Sequence, residues 1–225
     1  MPDTKFSWPA LREHIRRYLW VYLVGIVVCL AATRLLWTMT RPHYANGEVV
    51  AVYMADRYSD PDPLSDVAAH ALEQTRPFDE TLKEVRFESL MYNEQDYTSS
   101  MLLLTRLAVG ECDAFFASQA AMDALVSSEA LVLLDDYVAG GWLSGLGLEP
   151  YYAARENEDG SAGEPYLAGL RLDSVNALVQ RQAFENEGAF LCVANNGGNV
   201  ETTMTALETI MTDLTEASNA GTEAA

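Results

Sequence analysis

Asp60, Asp62 and Asp66 stand close enough together to resemble the opening of a calcium loop, in which spaced carboxylates wrap one hard cation. Pro61 and Pro63 break that spacing, and Ala71 occupies the twelfth position, where a bidentate Glu would close the shell. Zinc chemistry fares no better. Beyond residue 41 the histidines are His43 and His70, and neither has a second histidine three to five positions on. Asp135 and Asp136, with Glu156, Glu158 and Asp159, supply carboxylates, but a hydrolytic pair needs a set separation across a cleft. A solvated acidic turn and loop account for both runs. Gly197 and Gly198 ahead of a helix have the freedom to cradle an anion, yet a strand-to-helix turn asks for the same glycines. No nucleophile elbow, P-loop or dinucleotide glycine fingerprint occurs. The expectation is a protein that is not an enzyme and uses no cofactor and no metal.

The elements say more than the reactive side chains. Residues 18–39 read YLWVYLVGIVVCLAATRLLWTM, close to the ~20 apolar residues that cross a bilayer as a helix. Tyr18, Trp20 and Tyr22 stand at one end and Trp37 at the other, where aromatic rings meet headgroups. Arg34 lies near the outer end, within snorkelling reach of the interface. A cleaved signal peptide would have a shorter apolar core and a better small-residue site than Leu30-Ala31-Ala32. Cys29 follows Val28 rather than the small residue a lipid-modified cysteine would have. Lys5, Arg12, Arg16 and Arg17 against Asp3 and Glu13 make residues 1–17 a positive, cytoplasmic flank. The expectation is an uncleaved single-pass anchor in the cell membrane, with a linker at 40–47 and the rest of the chain outside the cytoplasm.

Charge divides at the same place. Residues 1–41 carry a net +4 and residues 42–225 a net −23, together the −19 of the chain. So acidic an exterior repels nucleic acid and anionic headgroups, so no nucleic-acid partner is expected. Cys112 and Cys192 fall beyond the anchor and read as two buried thiols. Neighbouring strands would leave a single bridge open to them.

Along residues 48–214 the periodicity alternates between strand and helix. Strands are expected at 49–55, 85–91, 112–117, 166–172 and 189–194, the last of them allowed to run antiparallel. Asp62 and Pro63 suit the start of a helix that Pro77 must kink or end. Residues 97–109 read as a helix capped by Gly110, and 119–129 as a shorter one. Residues 138–163 read as a Gly-rich acidic loop or lid, Asn199 caps a last helix to about Leu214, and residues 215–225 read as a disordered tail. This order calls for one three-layer α/β lobe with a mostly parallel sheet after the N-terminal transmembrane helix.

The stretch GECDAFFASQAAMDALVSSEALVLLDDY (110–137) resembles extracellular solute-binding proteins of ABC transporters, of the periplasmic-binding-protein-like type II fold. There a Gly-x-x-Asp strand precedes a short helix and a Leu-Asp-Asp closure. EPYLAGLRLDS and FLCVANNGGNVETTMTALETIM resemble later segments of the same family, so the likeness spans roughly residues 48–214. The departure is that only 27 residues, 139–165, stand where a second lobe of on the order of 100 residues would be inserted. The resemblance therefore implies a single-lobe relative, tethered by its own helix and unable to close two lobes on a ligand.

Doubly wound sheets bind at the carboxyl ends of their strands. The candidate ligand contacts are accordingly Asp56, Arg57 and Tyr58, Tyr92 and Asn93, Ser118 and Gln119, and Asp173 and Ser174. The function this implies is a non-enzymatic, solute-binding-protein-like module associated with transport. The alternative is an accessory protein that packs its lobe onto a membrane complex or transporter without holding a solute.

Overall fold

A computed structural model describes residues 8–40, 44–45, 47–156, 162–184, 188–195 and 199–223. Asp3, Lys5, His43, Glu158, Asp159, Gly197 and Gly198, named above, lie outside the described residues. The first element is a single helix, α1 (Trp8–Thr40), of 33 residues and about 50 Å. Within it residues 16–36 are long and apolar enough to cross a membrane. At its N-terminal end His14 Nε2 lies 3.0 Å from the Tyr22 hydroxyl, and its ring lies 4.7 Å from that of Tyr18.

A separate compact unit begins at Tyr44. Its strands are β1 (Val49–Asp56), β2 (Glu84–Met91), β3 (Ala114–Ala117), β4 (Glu149–Glu156), β5 (Ala162–Arg171) and β6 (Phe190–Val193). Its helices are α2 (Ser65–Thr75), α3 (Tyr97–Val109), α4 (Gln119–Ser127), α5 (Asp135–Ala139), α6 (Ala177–Gln180) and α7 (Val200–Glu223). The six strands form one sheet in the order β2-β1-β3-β6-β5-β4. From Val50 to Ala55 strand β1 is buried on both faces, which is why it reads as an unbroken apolar run.

The sheet is mixed, which corrects the expectation of a mostly parallel one. β1 pairs parallel with β2 and β3, whereas β3–β6, β5–β6 and β4–β5 are antiparallel. Strand β6 lies between β3 and β5 and runs against both, after a connection whose described part holds the single helical turn of α6.

Helices cover both faces. Val52, Met54, Phe116 and Leu191 pack with Val67 and Ala71 of α2 and Leu207, Ile210 and Met211 of α7. On the other face Tyr53, Phe115 and Cys192 pack with Leu103 and Leu107 of α3 and Met122 and Leu125 of α4. The domain thus has three layers.

Local signals set most helix ends. A 3₁₀ turn at Asp62–Leu64 takes up Pro63, so α2 starts at Ser65, later than Asp62 and Pro63 suggest, and it stops before Pro77. Asp96 caps α3 by accepting from the Thr98 N–H at 2.9 Å, and Gly110 ends it in the left-handed conformation at φ 72°.

Two further expectations are corrected. Where a loop or lid was expected, residues 138–156 and 162–163 hold the end of α5, a 3₁₀ turn at Ser144–Leu146, strand β4 and the start of β5. Trp142 Nε1 donates to the Met204 carbonyl at 3.0 Å, Leu143 is buried, and Tyr151 packs edge-on against Phe190 at 4.8 Å. Residues 215–223 are not a disordered tail either, because α7 continues to Glu223. Ser218 Oγ accepts from the Ala177 N–H at 2.9 Å and is itself buried, so α6 holds the last turns of α7 in place.

Candidate functional site

The strand ends that carry the nine candidate residues all meet at one edge of the sheet. β1, β2 and β3 run the same way, and β5 runs with them because it is antiparallel to β6, which is antiparallel to β3. Asp56, Tyr92, Ser118 and Asp173 therefore share the carboxyl edge. They do not share a pocket. Four strand spacings separate β2 from β5, roughly 19 Å, so the edge is a ledge rather than a cup.

Most of these residues are committed to holding that edge. Asp56 is fully buried, and its Oδ1 accepts from the Arg57 N–H at 2.7 Å while its carbonyl accepts from the Tyr92 N–H at 2.8 Å. Tyr92 is buried. Ser118 is buried, precedes α4 and donates its N–H to the Ala55 carbonyl at 2.9 Å. The Asn93 side chain accepts from the Gln95 N–H at 3.1 Å, and its backbone is tied to Ser99 Oγ. Gln119 Nε2 donates to Asp123 Oδ1 at 2.8 Å along α4. Arg57, Tyr58 and Ser174 are exposed. Asp173 takes an ion pair from Arg171 at 2.7 Å and lines a cavity.

That cavity, about 580 Å³, lies at the carboxyl edge. It is built by the turn after β5, by α6 and by the chain entering β6. Asp173, Asn176 and Gln180 supply its polar groups, and Leu178, Val179 and Phe184 its apolar wall. Gly188, at φ 91°, comes so close that an added Cβ would lie 3.2 Å from Asp173 Oδ1. The same segment reaches back across the edge. Asp60 N–H donates to the Ala183 carbonyl at 3.0 Å, and Ser59 bridges Phe184. Of the nine residues only Asp173 faces this cavity. The others that line it were missed because residues 175–188 carry no periodicity of their own; the sole signal was the apolar pair Leu178-Val179 just after Asp173.

The remaining chemistry is accounted for elsewhere. Arg181 Nη1 lies 2.7 and 2.9 Å from the two Asp66 oxygens, and this holds the Asp66 carboxyl below its ordinary range. Asp60 turns its Oδ1 onto the Asp62 N–H at 3.1 Å. Among the described residues no three His, Cys, Asp or Glu side chains are grouped to hold a metal ion. At the start of α7 the anion is the chain's own Asp79. It accepts from Thr81 Oγ1 at 2.6 Å, Thr202 Oγ1 at 2.8 Å and Asn199 Nδ2 at 2.7 Å, which lowers its pKa. Cys112 and Cys192 are buried, unbridged thiols. Burial, with Asp113 and Glu111 nearby, pushes Cys112 up to about 12, and burial alone pushes Cys192 up, which disfavours the thiolate at both.

No protein-family model matches the chain, and no curated protein matches it.

Proposed function

We propose that this protein is a membrane-anchored, non-enzymatic binding module that holds a small polar organic solute at the carboxyl edge of its sheet, outside the cytoplasm, in a role associated with transport. The observation that carries this reading is the cavity of about 580 Å³ beside Asp173, within the size range of small-molecule sites. One carboxylate, two amides and an apolar wall suit a solute with both hydroxyl or amine groups and a carbon face. The doubly wound half of the sheet, β2-β1-β3, supports the resemblance to one lobe of a solute-binding protein. The apolar surface of α1 and the basic residues of its first turns, Arg12, Arg16 and Arg17, support an anchor with its N-terminus inside.

With one wall instead of two, affinity falls to about the millimolar range. Ligand-observed NMR on the full-length protein in nanodiscs, against a panel of sugars, amino acids and polyamines, tests this. A weak binder lost in D173A is the expected result. Binding that survives D173A and N176A, or no binder in the panel, overturns it.

A second reading, an accessory protein docked on a membrane complex, is favoured by one feature: the outward face of α3 is apolar and exposed.

A further inference from the structure

Helix α3 buries only a narrow stripe, Ser99, Leu103 and Leu107, against the sheet. Apart from Arg106, the side chains it turns outward are uncharged. Tyr97 is 77 % exposed, Met101 45 %, Leu102 43 %, Leu104 40 % and Val109 57 %, and Ala108 is exposed beside them. Thr105 lies on the same face, but its hydroxyl is turned back onto the Met101 carbonyl at 2.6 Å. Between Asp96 and Glu111 the one charged residue is Arg106, and it is paired with Glu111. Exposed apolar side chains grouped on one helix face mark a contact surface. Among the described residues nothing covers this one.

We infer that the outward face of α3 is a homodimer seam, in which α3 packs antiparallel against α3 of a second copy of this chain. Two observations select that occupant. The first is pattern. Tyr97, Met101, Leu104 and Ala108 recur at spacings of four, three and four, the repeat of a helix-pairing seam. The seam is also self-complementary when reversed about a two-fold axis, as an isologous contact requires. The bulky Tyr97 then faces the small Ala108 of the other copy, and Met101 faces Leu104.

The second is charge. Residues 42–225 carry a net −23, so two copies repel wherever carboxylates meet. The outward face of α3 has no carboxylate.

The seam is small. A helix of 13 residues is about 20 Å long, with a footprint on the order of 200 Å². A stable soluble dimer buries about 800 Å² per partner. Confinement of both copies in one membrane supplies the local concentration that the contact area does not. In this respect alone the inference rests on the anchored reading proposed above.

The experiment is cysteine cross-linking of the full chain in native membranes, on a Cys29→Ser background, with L104C compared against E208C on the opposite helical layer. Fractionation of the same preparation scores anchoring separately, since an unanchored chain is recovered in the soluble fraction whatever the cross-link shows. The expected result is about tenfold more disulfide dimer for L104C than for E208C, returned to the control level by adding M101E. Both positions are exposed, so the circular dichroism and Tm of the variants should match the parent and exclude misfolding. Equal cross-linking of L104C and E208C overturns the inference. So does an L104C adduct formed only with a different polypeptide.

Discussion

Asp79 concentrates more polar work than any other side chain on the α2–α7 layer. It satisfies Thr81, Thr202 and Asn199, and so closes the turn before β2 onto the start of α7. D79A should therefore lose about 1–2 kcal/mol of stability at neutral pH, the scale of a lost helix cap with a charged acceptor. The pH dependence follows from the depressed carboxyl. The Thr81 hydroxyl first, then Thr202, lower its folded pKa below the ordinary 3.8. Its contribution is full above the unfolded value and disappears as pH falls through the folded one. Urea unfolding of parent and D79A should show a constant gap at pH 5–7 that closes below about pH 3.8. A gap that persists at lower pH would show that packing, not the carboxylate, is responsible.

Between elements, two contacts decide how the layers meet. The first is Gly169 in β5, where an added Cβ would lie 2.7 Å from the Leu191 carbonyl of β6 and 3.0 Å from Met122 Cε of α4. A side chain there forces backbone apart, so G169A should cost about 1–3 kcal/mol, read from the denaturation midpoint at unchanged slope. The second is His70 of α2, whose Nδ1 lies 2.7 Å from Asp213 of α7. Asp213 raises the His70 pKa above 6.5, with Glu73 and Glu216 adding to the effect. A raised histidine stabilises fully below its unfolded value, and the gain is lost as pH rises through the folded one. The tie between α2 and α7 is therefore an acid-side contact, opposite in sign to that of Asp79. Imidazole NMR titration should place His70 above 6.5, and D213N should lower it. A titration unmoved by D213N would mean the ion pair does not form in solution.

For the whole molecule the proposed anchor is tested by its orientation. The basic flank, Arg12, Arg16 and Arg17, predicts an inside N-terminus. A periplasmic-type or extracellular-type reporter fused after Ala225 should be active and a cytoplasmic reporter silent. Activity of the cytoplasmic reporter would remove the solute-binding reading together with the anchor. The proposed solute site and the proposed α3 seam are independent of each other. The site is built by the turn after β5 and by α6, whereas the seam lies on a helix that packs on the opposite layer from α7.

Residues 18–39, the strand at β1 and the helix between Asp96 and Gly110 were legible from sequence because each is decided by its own residues. An apolar run long enough for a bilayer, a buried central strand and a capped helix all satisfy their backbone locally. The carboxyl-edge residues were legible for the same reason, since a strand's end follows once the strand is found. Only the tertiary structure decided that β6 runs backwards, that β4 exists, that α6 shapes a cavity and that α7 continues past Leu214. These depend on groups far apart in the chain: Trp142 on Met204, Tyr151 on Phe190, Ser218 on Ala177. The segments involved bury too little apolar surface of their own to show a period. Their backbone is ordered by partners that become neighbours only when the sheet has closed, and that is information no local pattern of residues carries.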